Sequence, residues 1–556
     1  MEIREVGVVG LGTMGAGIAE VFARGGLAVT VVEADRAALD RGLAILAASL
    51  DKAVARGKLG RDDRELMLRR VRPGGSLDSL AGADLIVEVV PEQLAIKREI
   101  IAGLDLACRP DAVIATNTSS LSVTAIAAGS ARPGRVVGMH FFNPAPVMRL
   151  VEVVTTVLTE PGIGEAITGL ASRLGKTPVR VLDRAGFVAN ALLLPYLNHA
   201  AALLGSGYAT REDIDTAATA GLGLPMGPLA LLDLIGLDTS LAILEVLDRE
   251  FGGTRYTPAP LLRRMAEAGR TGRKSGVGFY EYAASPGRPA DDQVSTLNEE
   301  LPPAPGTVLL VGGGVGQDDG LATGLAGLIT AAGIGVHHDP ALPADLVVVA
   351  TGQEGGVLRA ALAAGRAGDA VGLHRTAPDL LEVVTTQATG ENAVAAASAL
   401  AARLGIRAVR SPDRPGLLAG TLLYPHLRDA AVMIADGYAS PADVDAAMTL
   451  GCGYPRGPAR MIDDAGARRV VTVLAAMHSA WGDPAYAPPP LLADLALLGS
   501  PLTAPGSPVV ARSQEAGSPV VARSQEAGSP DVARPQAPGS PVVARPQEAD
   551  RADRTA

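Results

Sequence analysis

His140 and Glu152 stand twelve residues apart in a chain with only 7 histidines. Imidazole titrates nearest to neutral pH, so His140 is the best general base on offer. A carboxylate on the other ring nitrogen, such as that of Glu152, would fix the tautomer and stabilise the imidazolium that forms. Taken alone, a pair at this spacing is more often structural, and the elements around it decide. A second constellation lies near the N-terminus, at Gly10-Leu11-Gly12-Thr13-Met14-Gly15. Gly10 permits a tight turn, Gly12 lets backbone approach a pyrophosphate, and Gly15 lets the helix pack close to its strand. Thr13 and Met14 open that helix, whose N-terminus faces the phosphates. Glu33 ends the next apolar run, where an acceptor for a ribose hydroxyl belongs. Its charge would repel a 2′-phosphate, so the expected cofactor is NAD rather than NADP.

The elements that must position these groups read as follows. Strands are expected at residues 6–9, 28–32, 85–90, 113–116 and 136–139, with helical stretches between them. Strands alternating with helices indicate a Rossmann-type, doubly wound parallel sheet. Residues 36–70 are too long for one crossover and predict an inserted helical arm carrying Ser49, Lys52, Arg56 and Lys58 on polar faces. Residues 186–247 are apolar at long period with few strand signals and predict a helical bundle. The fold class is therefore α/β followed by all-α, with a cleft between sheet and bundle.

Four motifs occur in one order: 115–121 (ATNTSSL), 140–152 (HFFNPAPVMRLVE), 186–190 (GFVAN) and 272–280 (GRKSGVGFY). Together they resemble the L-3-hydroxyacyl-CoA dehydrogenase family over residues 1–283. The resemblance implies oxidation of a secondary alcohol, with His140 as base, Glu152 as its support and a nicotinamide as hydride acceptor. It further implies that Ser119 and Asn190 bond the substrate oxygens, and that Glu92, Lys97, Ser119 and Asn143 contact the nicotinamide half of the cofactor. Ser49, Arg56 and Lys58 fall near its CoA contacts. Plainer readings stand beside these. Asn190 near a helix start is often a cap, and Lys274 is often a surface lysine.

The chain is also duplicated. Arg173-Leu174-Gly175 matches Arg403-Leu404-Gly405, and Pro225-Met226-Gly227-Pro228 matches Pro455-Arg456-Gly457-Pro458, each 230 positions apart. Residues 151–156 reappear at 381–386 in the same register. In the second copy Gln317 replaces Gly15, and Asp318 and Asp319 follow where a pyrophosphate would lie, so they would repel it. The arm is missing, no counterpart of Ser119 exists, four residues are deleted between His374 and Glu382, and Gly420 replaces Asn190. His374 and Glu382 read as vestigial. The expected layout is an NAD-binding domain with arm (1–183), a helical domain (184–283), a linker (284–305), a truncated Rossmann-like domain (306–410), a second helical domain (411–499) and a disordered tail of 11-residue repeats (500–556). Residues 417–474 would supply a partner for the first bundle within one chain, an intramolecular pseudo-dimer. Further homo-oligomerisation is left open.

Composition bounds the partners. A net charge of −10 argues against nucleic acid. No run is long and unbroken enough for a membrane span, and no leader pattern opens the chain. Two cysteines, Cys108 and Cys452, make neither a disulfide framework nor a metal site, and a reducing, cytoplasmic setting fits. The best reading is an NAD-dependent dehydrogenase acting on an acyl-CoA, short-chain (3-hydroxybutyryl-CoA) or dicarboxyl (3-hydroxyadipyl-CoA). The alternatives are a dehydrogenase of a free hydroxy or sugar acid and a non-catalytic nucleotide or CoA binder.

Overall fold

The computed structural model describes residues 2–282, 301–312 and 319–504. The first sheet contains β1 (Glu5–Val9), β2 (Ala28–Val32), β3 (Val71–Pro73), β4 (Leu85–Glu88), β5 (Val113–Thr116), β6 (Val136–Phe141), β7 (Leu150–Thr155) and β8 (Thr177–Leu182). Their order is β3-β2-β1-β4-β5-β6-β7-β8. Every pairing is parallel except β6 with β7. The central strands β4 and β5 are wholly buried and rich in Val, Ile and Leu, as a sheet covered on both faces requires. One face is covered by α1 (Thr13–Arg24), α2 (Arg36–Ala55), α3 (Arg61–Arg70) and later α6 (Ile163–Arg173). The other is covered by α4 (Leu94–Ala107) and α5 (Val123–Ala127). The expected doubly wound fold is the one observed. Strands β3, β7 and β8 are not among those the apolar runs mark: β3 is short, β7 carries Glu152, and β8 carries Pro178 and Arg180.

The arm is present as α2 and α3, but it does not stand free. Leu39, Leu46 and Leu50 of α2 share a core with Leu11 and α1. A Cβ on Gly42 would lie 2.2 Å from the Leu11 carbonyl oxygen, so α2 is clamped over the glycine turn.

The first bundle comprises α7 (Ala189–Gly205), α8 (Arg211–Thr216), a π-helical turn at Ala217–Gly221, α9 (Pro228–Ile235), α10 (Leu237–Phe251) and α11 (Pro260–Glu267). A smaller sheet follows: β9 (Thr307–Gly312), β10 (Gly335–His337), β11 (Leu346–Ala350), β12 (Ala370–Ala377), β13 (Leu380–Thr385) and β14 (Arg407–Pro412), ordered β10-β9-β11-β12-β13-β14. It carries α12 (Asp319–Ala331), α13 (Val357–Ala363) and α14 (Glu391–Arg403). Where β5 stands in the first sheet, the second has nothing: β11 pairs directly with β12. The second bundle is α15 (Ala419–Ala435), α16 (Pro441–Gly451), α17 (Pro458–Ala465), α18 (Ala467–Trp481) and α19 (Pro490–Leu498). From β7 onward the repeat is kept to the residue: β7 and β13, β8 and β14, and α7 and α15 each start 230 positions apart.

The Pro-X-Gly-Pro repeat has a physical reason. Asp215 accepts from the N–H groups of Leu229 and Ala230 at the start of α9, at 2.9 and 3.0 Å. Asp445 does the same for Ala459 and Arg460 of α17. A Cβ on Gly227 or Gly457 would sit 2.1 Å from that carboxylate, so only glycine fits, and proline opens each helix. The repeat also corrects the tail boundary. Asp233 accepts from Phe279 N and Tyr280 N, and Asp463 likewise from Leu502 N and Thr503 N. Residues 500–504 therefore complete the second bundle rather than begin the tail. The repeats beyond 504, most of the expected linker, and Gln317 and Asp318 lie outside the described residues.

The two bundles share one apolar core. The ring of Tyr196 lies 5.5 Å from that of His426, its own counterpart 230 positions on, which marks a local two-fold axis. Tyr208 donates to the Leu417 carbonyl, and Tyr438, its counterpart, to that of Leu182. Arg255 and Asp429 form a buried ion pair across the same junction.

Candidate active site

The glycine turn is built for a dinucleotide. Gly10 has φ +91°, and a Cβ there would lie 2.8 Å from the Val89 oxygen. A Cβ on Gly15 would lie 1.9 Å from the Gly10 oxygen. At Gly12 nothing stands within 4 Å of the Cβ position. Gly12 caps α1 without a side-chain bond, and no acidic residue occupies the first turn, which begins with Thr13 and Met14. Uncapped N–H groups facing open space fit a pyrophosphate. Glu33 stands at the end of β2 and accepts from Leu11 N at 2.6 Å, so its carboxylate borders the turn.

His140 and Glu152 are direct partners across the antiparallel β6–β7 pair. His140 Nδ1 and Glu152 Oε2 are 2.7 Å apart, and both side chains are nearly or fully buried. Nε2 makes no hydrogen bond to the described residues. The ring is flanked by Phe142 at 4.5 Å and Phe187 at 5.6 Å. Glu152 Oε1 accepts from Val188 N and Ala189 N, both at 3.0 Å, where α7 begins. To present these N–H groups the chain turns through Gly186 and Phe187, at φ +72° and +48°. A left-handed phenylalanine costs roughly 1–3 kcal/mol, which the carboxylate anchor and its charge-assisted bonds offset.

Ser119 and Asn190 meet across the cleft: Asn190 Nδ2 donates to the Ser119 carbonyl at 3.4 Å. The Ser119 loop is organised by Glu92, whose Oε1 accepts from Thr118 Oγ1 and from the N–H groups of Ser119 and Ser120. Burial pushes the Glu92 carboxyl up, but Thr118, Lys97 and the two N–H groups outweigh it and hold it below the usual range. Lys97 is fully buried, with Glu88 at 3.0 Å, the Val90 carbonyl at 3.2 Å and Glu92 at 3.5 Å. It therefore supports the loop rather than facing the cleft. Glu88, which also accepts from Thr116 Oγ1, went unread in the sequence; its signal is a charge inside an apolar strand run. Asn143 is exposed on the β6–β7 loop. That loop packs on α1 at Gly17 and is pinned by Lys176 Nζ, which donates to the carbonyls of Ala145 and Met148. Desolvation lowers the Lys176 amine to about 8. Ser49 is half-buried on α2, and Arg56 and Lys58 are exposed just beyond its end. Lys274 pairs with Asp238 at the surface.

The second unit keeps the frame without the site. His374 and Glu382 are register partners on β12 and β13, yet His374 Nδ1 bonds the Thr351 carbonyl instead. Glu382 accepts from Thr376 Oγ1 and from Leu418 N, at the start of α15. The cleft is filled: Tyr424 OH donates to Gln353 Oε1 at 2.5 Å, and a Cβ on Gly420 would crowd both residues. With β5 gone, the Ser119 loop has no place to spring from. Where the first unit packs its 143–148 loop on α1, a cavity of about 170 Å³ lies between α12 and Arg375.

The comparisons agree with this geometry. Residues 5–184 match the family model described as 3-hydroxyacyl-CoA dehydrogenase, NAD binding domain. The C-terminal domain of the same family matches twice, at 186–282 and 416–511. The 3-hydroxybutyryl-CoA dehydrogenase of Mycobacterium tuberculosis is 48% identical over 282 residues, covering 50% of this chain and 99% of that protein. The 3-hydroxyadipyl-CoA dehydrogenase of Escherichia coli is 33% identical over 501 residues, covering 90% and 99%. A crystal structure described as 3-hydroxybutyryl-CoA dehydrogenase from Escherichia coli K12 superposes with a TM-score of 0.75 at 32% identity, over 90% of this chain and 99% of that one. No helix among the described residues is long and apolar enough to cross a membrane. With its NAD-binding sheet, its two C-terminal domains and these relatives, the chain belongs to the 3-hydroxyacyl-CoA dehydrogenase family of NAD-dependent oxidoreductases.

Proposed function

We propose that the chain interconverts an L-3-hydroxyacyl-CoA and its 3-keto form, with His140 as the base. The observation that carries this is the 2.7 Å bond between His140 Nδ1 and buried Glu152, which leaves Nε2 for the hydroxyl proton. Bound NAD supplies the hydride acceptor. Glu152 keeps the imidazole in one tautomer and stabilises its protonated form, and its own two bonds to α7 keep it from turning away. Ser119 and Asn190, on opposite walls of the cleft, orient the oxygens of the acyl group. Gly10, Gly12, Thr13, Met14 and Gly15 hold the pyrophosphate, and Glu33 the adenosine ribose. Glu92 shapes the loop beside the nicotinamide, with Lys97 behind it and Asn143 on the facing loop. Ser49, Arg56 and Lys58 form the side toward CoA. Relatives named for hydroxybutyryl and hydroxyadipyl substrates support a short acyl chain. The second unit acts as the pairing partner of the first bundle, which the shared core supports. Free Cys108 and Cys452 support a reducing, cytoplasmic setting.

The test is NADH oxidation with acetoacetyl-CoA, run beside NADPH and a His140→Ala variant. Turnover that prefers NADH and falls by about 10²–10⁴-fold in the variant is expected for loss of the proton-transfer group, which is the base in oxidation and the acid in this reductive direction. Undiminished turnover in the variant removes His140 from the mechanism.

A further inference from the structure

The second unit packs directly behind the catalytic strands of the first. Gly451 ends α16, and a Cβ there would lie 2.5 Å from Leu150 Cδ2 and 3.2 Å from Phe142 Cε1. Leu150 precedes Glu152 by two residues on β7, so their side chains share a face. Phe142 follows His140 by two residues, and its ring lies against the imidazole. The end of α16 thus touches a neighbour of each member of the pair. Burial, with the Glu152 charge adding to it, pushes the Cys452 thiol and the Tyr438 hydroxyl well up.

The local two-fold axis supplies an internal control. Gly221 stands 230 positions before Gly451, and its Cβ would lie 2.8 Å from Leu380 Cδ2, where Leu380 is the counterpart of Leu150. Behind that contact no catalytic pair stands, because His374 bonds Thr351.

We propose that Gly451 is a positioning residue: α16 of the second unit sets the place of Leu150 and Phe142, and through them the aim of His140 and its hold on Glu152. The duplicated unit, without chemistry of its own, is then a working part of the first unit's active site. This rests on the assignment of the base to His140. Leu150 is fully buried, so an added carbon must displace it or Phe142 in a close-packed interior. A misplacement of about 1 Å at a catalytic group can cost on the order of 10²-fold in rate.

The experiment compares G451A and G221A in the full chain, with kcat, KM for NADH, pH profile and thermal midpoint as readouts. Each variant adds one carbon at an equivalent place, so a purely structural cost falls on both. G451A is expected to lower kcat at least ~10-fold and to move the alkaline limb of the pH profile, since His140 must give up a proton when NADH is the substrate, with KM for NADH within about twofold. G221A is expected to leave kcat and profile unchanged. Wild-type kcat and profile in G451A, or an equal loss in G221A, overturns the proposal. L150V serves even where G451A alone folds poorly. L150V alone opens a gap and lowers kcat, and G451A in that background should raise kcat above L150V alone; no gain overturns the proposal. H140A separates the two assignments. Turnover surviving in H140A overturns the base and this proposal together, whereas loss in H140A with an unaltered G451A overturns this proposal alone.

Discussion

Replacing Asp429 by alanine tests how the two bundles hold together. Arg255 donates from Nε and Nη2 to Asp429 Oδ2 at 2.9 and 2.6 Å, with the two side chains 9% and 5% exposed. Removing one member of a buried pair leaves an uncompensated charge and costs about 3–5 kcal/mol. The two deletions should differ. Without Arg255, Asp429 keeps Arg428, whose Nη1 lies 3.3 Å from its other oxygen. Without Asp429, Arg255 has no other carboxylate among the described residues. D429A should therefore approach the upper figure and R255A fall toward or below the lower. The exposed Lys274–Asp238 pair is the reference, and K274A should cost under ~1 kcal/mol. The double variant R255M/D429L, with apolar groups of similar size, should recover most of the loss. Trp481, the one tryptophan of the chain, lies with its ring 5.1 Å from that of Tyr486 in the second bundle and reports its unfolding in urea. The reasoning fails if D429A costs less than R255A, or if both cost no more than K274A.

Glu33→Ala should relax the preference for NADH over NADPH by roughly tenfold or more, since about 1.4 kcal/mol of lost repulsion is tenfold; an unchanged ratio of kcat/KM removes Glu33 from cofactor choice. His374→Ala should leave turnover within about twofold, because the ring bonds a carbonyl and not Glu382; a hundredfold loss would show that the second unit carries chemistry. Stability should fall in mild acid. Burial holds His199 down to about 3 and His426 down to about 4. These depressed values give stability that is full above about pH 6.5, the unfolded value, and is lost as pH falls toward 4. Asp215, raised by burial to about 6, works the other way and offsets part of the loss. Urea midpoints at pH 7 and 5 check this, and H426Y, which installs the residue of the counterpart Tyr196, should flatten the difference.

The parts legible in the sequence were those set by local rules. A glycine turn between a strand and a helix has few alternatives, and the observed turn leaves open space only at Gly12. The 230-position register survived because Asp215 and Asp445, and Asp233 and Asp463, need the same loops in both bundles. What stayed hidden depends on tertiary contact. Lys97 shows no sign in the sequence that Glu88 claims it. Strand β8 carries a proline and a charge, Pro178 and Arg180, and is held by pairing with β7 rather than by its own pattern. The boundary expected at 500 falls short because a single Leu502 among prolines carries no pattern, while in the fold its side chain is buried in the bundle core and its N–H bonds Asp463. His374 and Glu382 keep the cross-strand register of His140 and Glu152, yet the ring of His374 bonds the Thr351 carbonyl rather than Glu382, which no residue pattern announces.

Glu382 still reaches the start of α15 although His374 has turned away from it. In the first unit Glu152 makes the same reach to α7 while also holding His140. A carboxylate at this place thus has two tasks in the first unit, the imidazole and the helix start, and only the second is kept in the copy. In a copy without the pair the histidine can rebond, as His374 does with the Thr351 carbonyl, whereas loss of the glutamate would leave the Leu418 N–H at the start of α15 without its acceptor. Decay of such a copy therefore proceeds from the imidazole side, and a surviving glutamate in a repeat of this kind is a record of architecture, not of activity.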